Sequence, residues 1–201
     1  MQSRWKEKET SCDQYLPSNT GNRRLLLARS IAVPGGKTMT FTIANPPRVT
    51  PTLAQRAAEG VTVVASGMFT GVMLFIGITL GGFYQSLPAQ RFLDWFATNN
   101  GFIQDTIPLV ALPTLLGTIL CTVLFWRFPA RKWWLAALLS WLVIAVLTFG
   151  FFVPTNAAFA SGTAPVTEVT ETLALWLQIH WIRIVFGVLG TTFAYLAVSR
   201  A

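Results

Sequence analysis

Apolar and polar positions are segregated along this chain on a coarse scale. After a polar leader come four long apolar runs, at about residues 61–83, 107–126, 133–153 and 172–198, separated by short polar stretches. Each run is close to the roughly 20 residues with which a helix, rising ~1.5 Å per residue, crosses a hydrocarbon core about 30 Å thick. Residues 1–50 are rich in Ser, Thr, Pro, Asn and charge and hold no sustained period, which predicts a disordered polar leader. A short helix over Pro51–Glu59 then opens a transmembrane domain spanning 51–201. Backbone in lipid must satisfy its own hydrogen bonds, and short loops lay successive helices side by side. The expected fold class is therefore all-α: an integral membrane antiparallel four-helix bundle with a disordered basic N-terminal leader.

Local signals refine these elements. The first run carries Gly67-Met-Phe-Thr-Gly71 and Gly77-Ile-Thr-Leu-Gly81, small-residue pairs that let a neighbouring helix approach closely. Between Tyr84 and Thr106 the chain turns polar around an aromatic patch of Phe92, Leu93, Trp95 and Phe96, read either as a short interfacial helix acting as a lid or as an aromatic anchor. Pro113 predicts a kink in the second span, and Pro154 is expected to close the third, leaving Asn156 near its end.

Composition agrees with a membrane protein: 53% of residues are hydrophobic and 11% charged, against about a quarter charged in soluble domains. The net charge of +7 does not point to nucleic acid, because nine of the fifteen Lys and Arg lie before residue 60, beside the first span, where they meet anionic lipid headgroups or set orientation. Basic residues also dominate the Arg127–Lys132 loop and the tail, so both termini are expected to be cytoplasmic in a multi-pass protein. Arg23-Arg24 precedes an apolar run too short for a signal peptide, and Met39 offers an alternative start that would make residues 1–38 an over-extended gene model. Cys12 and Cys121 have neither disulfide nor metal-ligand spacing, and no metal site is expected.

Candidate chemistry concentrates in the fourth run. Trp176, His180, Arg183, Gly187, Gly190 and Ala194 follow one another at steps of four, three, four, three and four, so they share a helix face. His180 is the single histidine of the chain, and Arg183 is the one formal charge well inside any apolar run. Two readings stand on spacing alone. The face that packs Gly187 and Gly190 points His180 and Arg183 into the bundle, or both lie at the membrane boundary, where an arginine snorkels to headgroups. Up-and-down topology puts Thr155, Asn156, Asp94, Asp105, Glu168 and Glu171 at the same end. A base, an anion stabiliser and an apolar surround are what His180, Arg183 and the nearby Trp, Phe and Leu residues supply. Paired haem histidines, a Cys–His metal set, a phosphate loop and paired carboxylates are not in the sequence.

The four spans, the third ending in Phe152-Val-Pro-Thr-Asn156 and the fourth opening in a Trp-rich segment with His180 and Arg183, resemble the small integral-membrane family that includes the anthrone oxygenases. The likeness covers roughly residues 60–200. That family pairs a Val-Pro-x-Asn with an Asn-His-x-Arg cluster; this sequence keeps Pro154, Asn156 and Arg183, but places His180 three positions before the arginine and Trp181 two before it. The resemblance implies an oxygenase that uses no cofactor and converts a polyketide-derived anthrone, with dioxygen, to an anthraquinone. It implies His180 and Arg183 as catalytic residues and Asn156, Trp176 and Trp181 as substrate-binding residues. The expected partners are a hydrophobic aromatic small molecule, dioxygen and membrane lipid, together with a homo-oligomeric or other membrane partner. A competing expectation is a non-enzymatic four-span protein acting as an assembly or interaction partner.

Overall fold

In a computed structural model, the described residues are 50–200, together with the backbone of two strands in the leader. Strands β1 (Leu26–Val33) and β2 (Lys37–Ala44) pair antiparallel, with Leu26 opposite Ala44 and Val33 opposite Lys37. The polarity of the leader anticipates no element there. In hindsight its Val, Ile and Thr content on either side of Gly35-Gly36 is a hairpin signal. Cys12 and Arg23-Arg24 lie outside the described residues.

The second unit, from Thr50 onward, is helical. Helix α1 (Leu53–Phe75) opens on a capping box: the Thr52 hydroxyl accepts from the Gln55 amide, and Gln55 Oε1 accepts from the Thr52 amide at 2.8 Å. A π turn over Ile76–Leu80 joins it to α2 (Gly81–Ser86). Helix α3 (Ala89–Leu124) follows, then α4 (Arg131–Leu147), a second π turn (Thr148–Phe152), α5 (Val153–Ser161) and α6 (Val169–Val198). Four units are long and apolar enough to span a membrane, at Leu53–Ser86, Ala89–Leu124, Arg131–Ser161 and Val169–Val198. α6 packs against α4 and α1, α1 against α3, and α3 against α4. The outward faces are apolar, with Leu109, Leu116, Val123, Val146 and Phe149 exposed, as lipid contact requires.

Two boundaries differ from expectation. The polar stretch 84–106 contains no separate interfacial helix, because its turn is confined to Leu87 and Pro88 and α3 runs unbroken from Ala89. Its polar side chains satisfy themselves within the helix: Thr98 donates to the Asp94 carbonyl, Asn99 to that of Trp95 and Thr106 to that of Phe102. Polarity therefore does not break the helix. At 36 residues α3 is about 54 Å long, more than the hydrocarbon needs. Pro108 and Pro113 both lie inside it.

Pro154 does not close the third span either. The helix continues to Ser161 and ends at Gly162, whose φ of +68° is the left-handed conformation that glycine adopts without steric penalty. Proline has no N–H to give to the turn before it, and that turn is the wider π turn Thr148–Phe152. Such turns inside α-helices are rare and recur at functional sites. Here they occur in the two spans that flank the histidine of α6.

Candidate active site

The sequence-derived stripe on α6 is buried along its whole length, Trp176, His180, Arg183, Gly187, Gly190 and Ala194 included. Snorkelling is thereby set aside: His180 is 1% and Arg183 4% exposed, so both side chains point into the bundle rather than outward. What brings them in is the close approach of α1. A Cβ on Gly77 would stand 2.7 Å from Ile184 Cδ1 and 3.1 Å from His180 Cδ2, so only glycine lets the first span lie against this part of α6. Gly67 and Gly71 have nothing within 4 Å and face outward. The packing pair is Gly77 and Gly81.

His180 is held from three sides. Its Nε2 lies 2.8 Å from the Met73 carbonyl oxygen. A carbonyl only accepts, so Nε2 carries the hydrogen and, in the neutral ring, the lone pair sits on Nδ1. That Nδ1 is buried and has no hydrogen-bond partner. Trp176, one turn earlier, stacks on the imidazole with ring centres 5.1 Å apart and planes within 2° of parallel. Phe152 meets it edge-on at 5.9 Å.

The Phe152-Val-Pro-Thr-Asn156 motif now has a physical account. Phe152 closes the π turn and presents its ring to Trp176 at 5.1 Å and to the Arg183 guanidinium at 4.1 Å. One helical turn on, Asn156 Oδ1 accepts a 2.9 Å bond from Trp176 Nε1. The indole N–H can only donate, which fixes the orientation of the amide. Asn156 thus fixes the indole that in turn stacks on His180.

Arg183 has no carboxylate partner among the described residues. Its Nε is buried without a hydrogen bond, and the Phe152 ring beneath it contributes a cation–π contact worth about 2 kcal/mol when desolvated. Asp94, Asp105, Glu168 and Glu171, which the topology puts at this end, are all exposed and do not join the site. A buried guanidinium with free donors is a receptor for an anion or an oxygen acceptor.

His180, Arg183, Trp176 and Asn156 line one cavity, with Phe152 and Met73. Trp181 does not: it is 46% exposed and points away from the bundle interior. Sequence reasoning missed Tyr84 from α2 and Asn100 from α3, which line the same cavity. Both sit in the stretch read as a polar turn, where a tyrosine passes for a membrane-belt residue. The aromatic patch of α3 turns inward above them, Phe92 and Phe96 packing on Tyr84 and on Phe159 of α5. The cavity holds about 30 Å³, room for one or two waters. A drug-sized ligand needs a few hundred, so the aromatic walls must part to admit one. Among the described residues no cluster of His, Cys, Asp and Glu has the makings of a metal site.

A family model described as anthrone oxygenase matches residues 95–193, from the aromatic patch of α3 through Asn156 to the far half of α6. The other side of the cavity, with Met73, Ile76 and Tyr84, lies before that segment. No curated protein and no solved structure matches the chain. Over residues 95–193, which hold the α3, α5 and α6 walls of the cavity, this chain with its four helices long and apolar enough to span a membrane is similar to the anthrone oxygenase family.

Proposed function

We propose that the protein oxidises a polyketide-derived anthrone to an anthraquinone, using dioxygen and the electrons of the substrate itself. The observation that carries this reading is His180 fixed through Nε2 to the Met73 carbonyl, its Nδ1 free, in a buried cavity beside an unpaired Arg183. His180 Nδ1 takes a proton from the methylene carbon between the two aromatic rings. The resulting carbanion is delocalised as an aromatic oxyanion, and Arg183 stabilises its charge. The anion gives electrons to dioxygen, a C–O bond forms at the same carbon, and the proton held by His180 passes to the terminal peroxide oxygen, which restores the neutral imidazole. The hydroperoxide so made loses its remaining C–H proton together with hydroxide, as water, and leaves a carbonyl. One oxygen atom enters the quinone and the other becomes water, which balances the four-electron oxidation of CH₂ to C=O. Trp176 and Phe152 supply flat walls for the rings, and Asn156 acts by positioning Trp176. Trp181 has no part in this reading.

The charge bias of the loops supports a multi-pass protein with both termini cytoplasmic, so that the cavity end lies towards the opposite surface. Incubation of the purified protein with an anthrone under oxygen, followed by quinone formation and oxygen uptake, tests the reading. Positioned acid–base catalysis is worth ~10²–10⁴-fold, so His180→Ala is expected to lose at least about 100-fold. Equal rates for the two proteins would remove the histidine from the mechanism. A second reading, a non-enzymatic assembly partner, draws on Gly67 and Gly71, which face outward with open space before them. It predicts a stoichiometric complex that Gly67→Leu with Gly71→Leu abolishes.

A further inference from the structure

The Tyr84 ring has five aromatic neighbours, Phe83, Phe92, Trp95, Phe96 and Trp176, at centroid separations of 5.3–6.3 Å. Phenylalanine would fill such a nest equally well. The hydroxyl is nonetheless there, on a side chain 1% exposed, buried and without a partner. A buried hydroxyl left unpaired is destabilising, so its place in the cavity wall calls for a ligand atom. Asn100 on α3, 8% exposed, adds a second polar side chain without a hydrogen-bond partner among the described residues, although its amide atoms are not sealed off as the Tyr84 hydroxyl is. Its neighbours Thr98, Asn99 and Thr106 close their side-chain bonds onto carbonyls of their own helix, while the Asn100 amide makes none among the described residues. The two residues come from different helices and line the cavity that also holds His180 and Arg183.

We infer that the Tyr84 hydroxyl and the Asn100 amide form a second polar pole of the cavity, binding a ring hydroxyl of the aromatic ligand and thereby selecting hydroxylated over unsubstituted tricycles. This rests on the aromatic-substrate reading above and adds a specificity element to it. Arg183 faces the oxygen common to all such ligands. Tyr84 and Asn100, each both donor and acceptor, match a phenol, which is also both. A site built to hydrogen-bond a substrate hydroxyl rejects the analogue lacking it, because its own buried groups then stay unpaired.

The test is direct binding by the full chain, read as quenching of tryptophan fluorescence, with a hydroxyanthraquinone and unsubstituted anthraquinone as probes. Wild type is expected to bind the hydroxylated probe about tenfold more tightly, equivalent to ~1.4 kcal/mol. Tyr84→Phe is expected to bring that ratio to about one to two by weakening the hydroxylated probe alone. Asn100→Ala shifts it the same way by a smaller factor and decides the matter if the tyrosine variant does not fold. A ratio unchanged in both variants, an equal loss for both probes, or no binding of either probe by wild type overturns the inference. Turnover separates it from the oxygenase reading: a wild type that leaves anthrone unoxidised, yet shows a hydroxyl preference that Tyr84→Phe removes, retains the second pole and loses the enzyme.

Discussion

The bundle buries polar groups at both ends, and the two ends are built differently. At the end bearing the Arg127–Lys132 loop, Glu59 is fully buried on α1, one carboxylate oxygen bonded to Arg56 at 3.2 Å and the other without a partner. Ser66 Oγ and Trp134 Nε1 are likewise buried and unpaired. Around them Cys121, Phe125, Ala130, Trp134, Ala194 and Ala197 pack with no exposed surface. At the other end the unpaired atoms are His180 Nδ1, Arg183 Nε and the Tyr84 hydroxyl, and their residues line one cavity from α2 and α6. Burial of a costly group flags both ends equally. Convergence of chemically complementary groups on shared space flags only the second. The Glu59 end is a packed joint in which an ion pair ties the first turns of α1, and the His180 end surrounds a cavity.

The contrast can be broken by mutation at several strengths. Gly77→Ala should produce the largest loss after His180 and Arg183 themselves, because the new methyl group meets the rigid imidazole edge at 3.1 Å rather than a yielding side-chain tip alone. Overpacking of this kind costs ~1–3 kcal/mol, so an activity loss of roughly tenfold or more is expected, read as anthrone oxidation rate. Gly67→Ala and Gly71→Ala, with open space before them, should leave that rate unchanged. A comparable loss at Gly67 would mean that the outward face, not the α1–α6 contact, shapes the site.

Asn156→Leu comes next. It removes the acceptor of the Trp176 indole, a bond worth about 1 kcal/mol net. The consequence should be a fall in rate of about fivefold, with a blue or red shift in tryptophan emission marking the freed indole. Asn156→Asp, which keeps the acceptor, should restore the emission. Trp181→Ala is the smallest: its half-exposed ring lies outside the cavity, and the rate should stay within about twofold of wild type.

Much of this was legible in the sequence, and the parts that were not have separate physical reasons. The spans and the buried stripe of α6 follow from helical period and small-residue placement, and α6, like α3, contains no π turn, so its spacing reads true from Trp176 to Ala194. The first and third spans each contain one, at Ile76–Leu80 and Thr148–Phe152, and a π turn has no residue signature that a 3.6-residue period reveals. Pro154 was therefore read as a helix end when it lies within a continuing helix. Tyr84 and Asn100 were hidden by the polarity of their neighbours, which satisfy their hydrogen bonds along α3 instead of forming a loop. Asn156 was visible as a polar group near the site, but its role in holding Trp176 required the third dimension.

The most direct measurement sets the two buried charges against each other: the rate of anthrone oxidation by Arg183→Met and by Glu59→Gln, in proteins shown to be folded. Loss of one preorganised donor to a developing oxyanion costs ~10²–10³-fold, and Arg183→Met should fall by at least about 100-fold. Glu59→Gln should remain within about threefold, as a change in a packed joint away from the reacting atoms. Equal losses in the two variants, or a larger loss at Glu59, would contradict the assignment of the site to the His180 end.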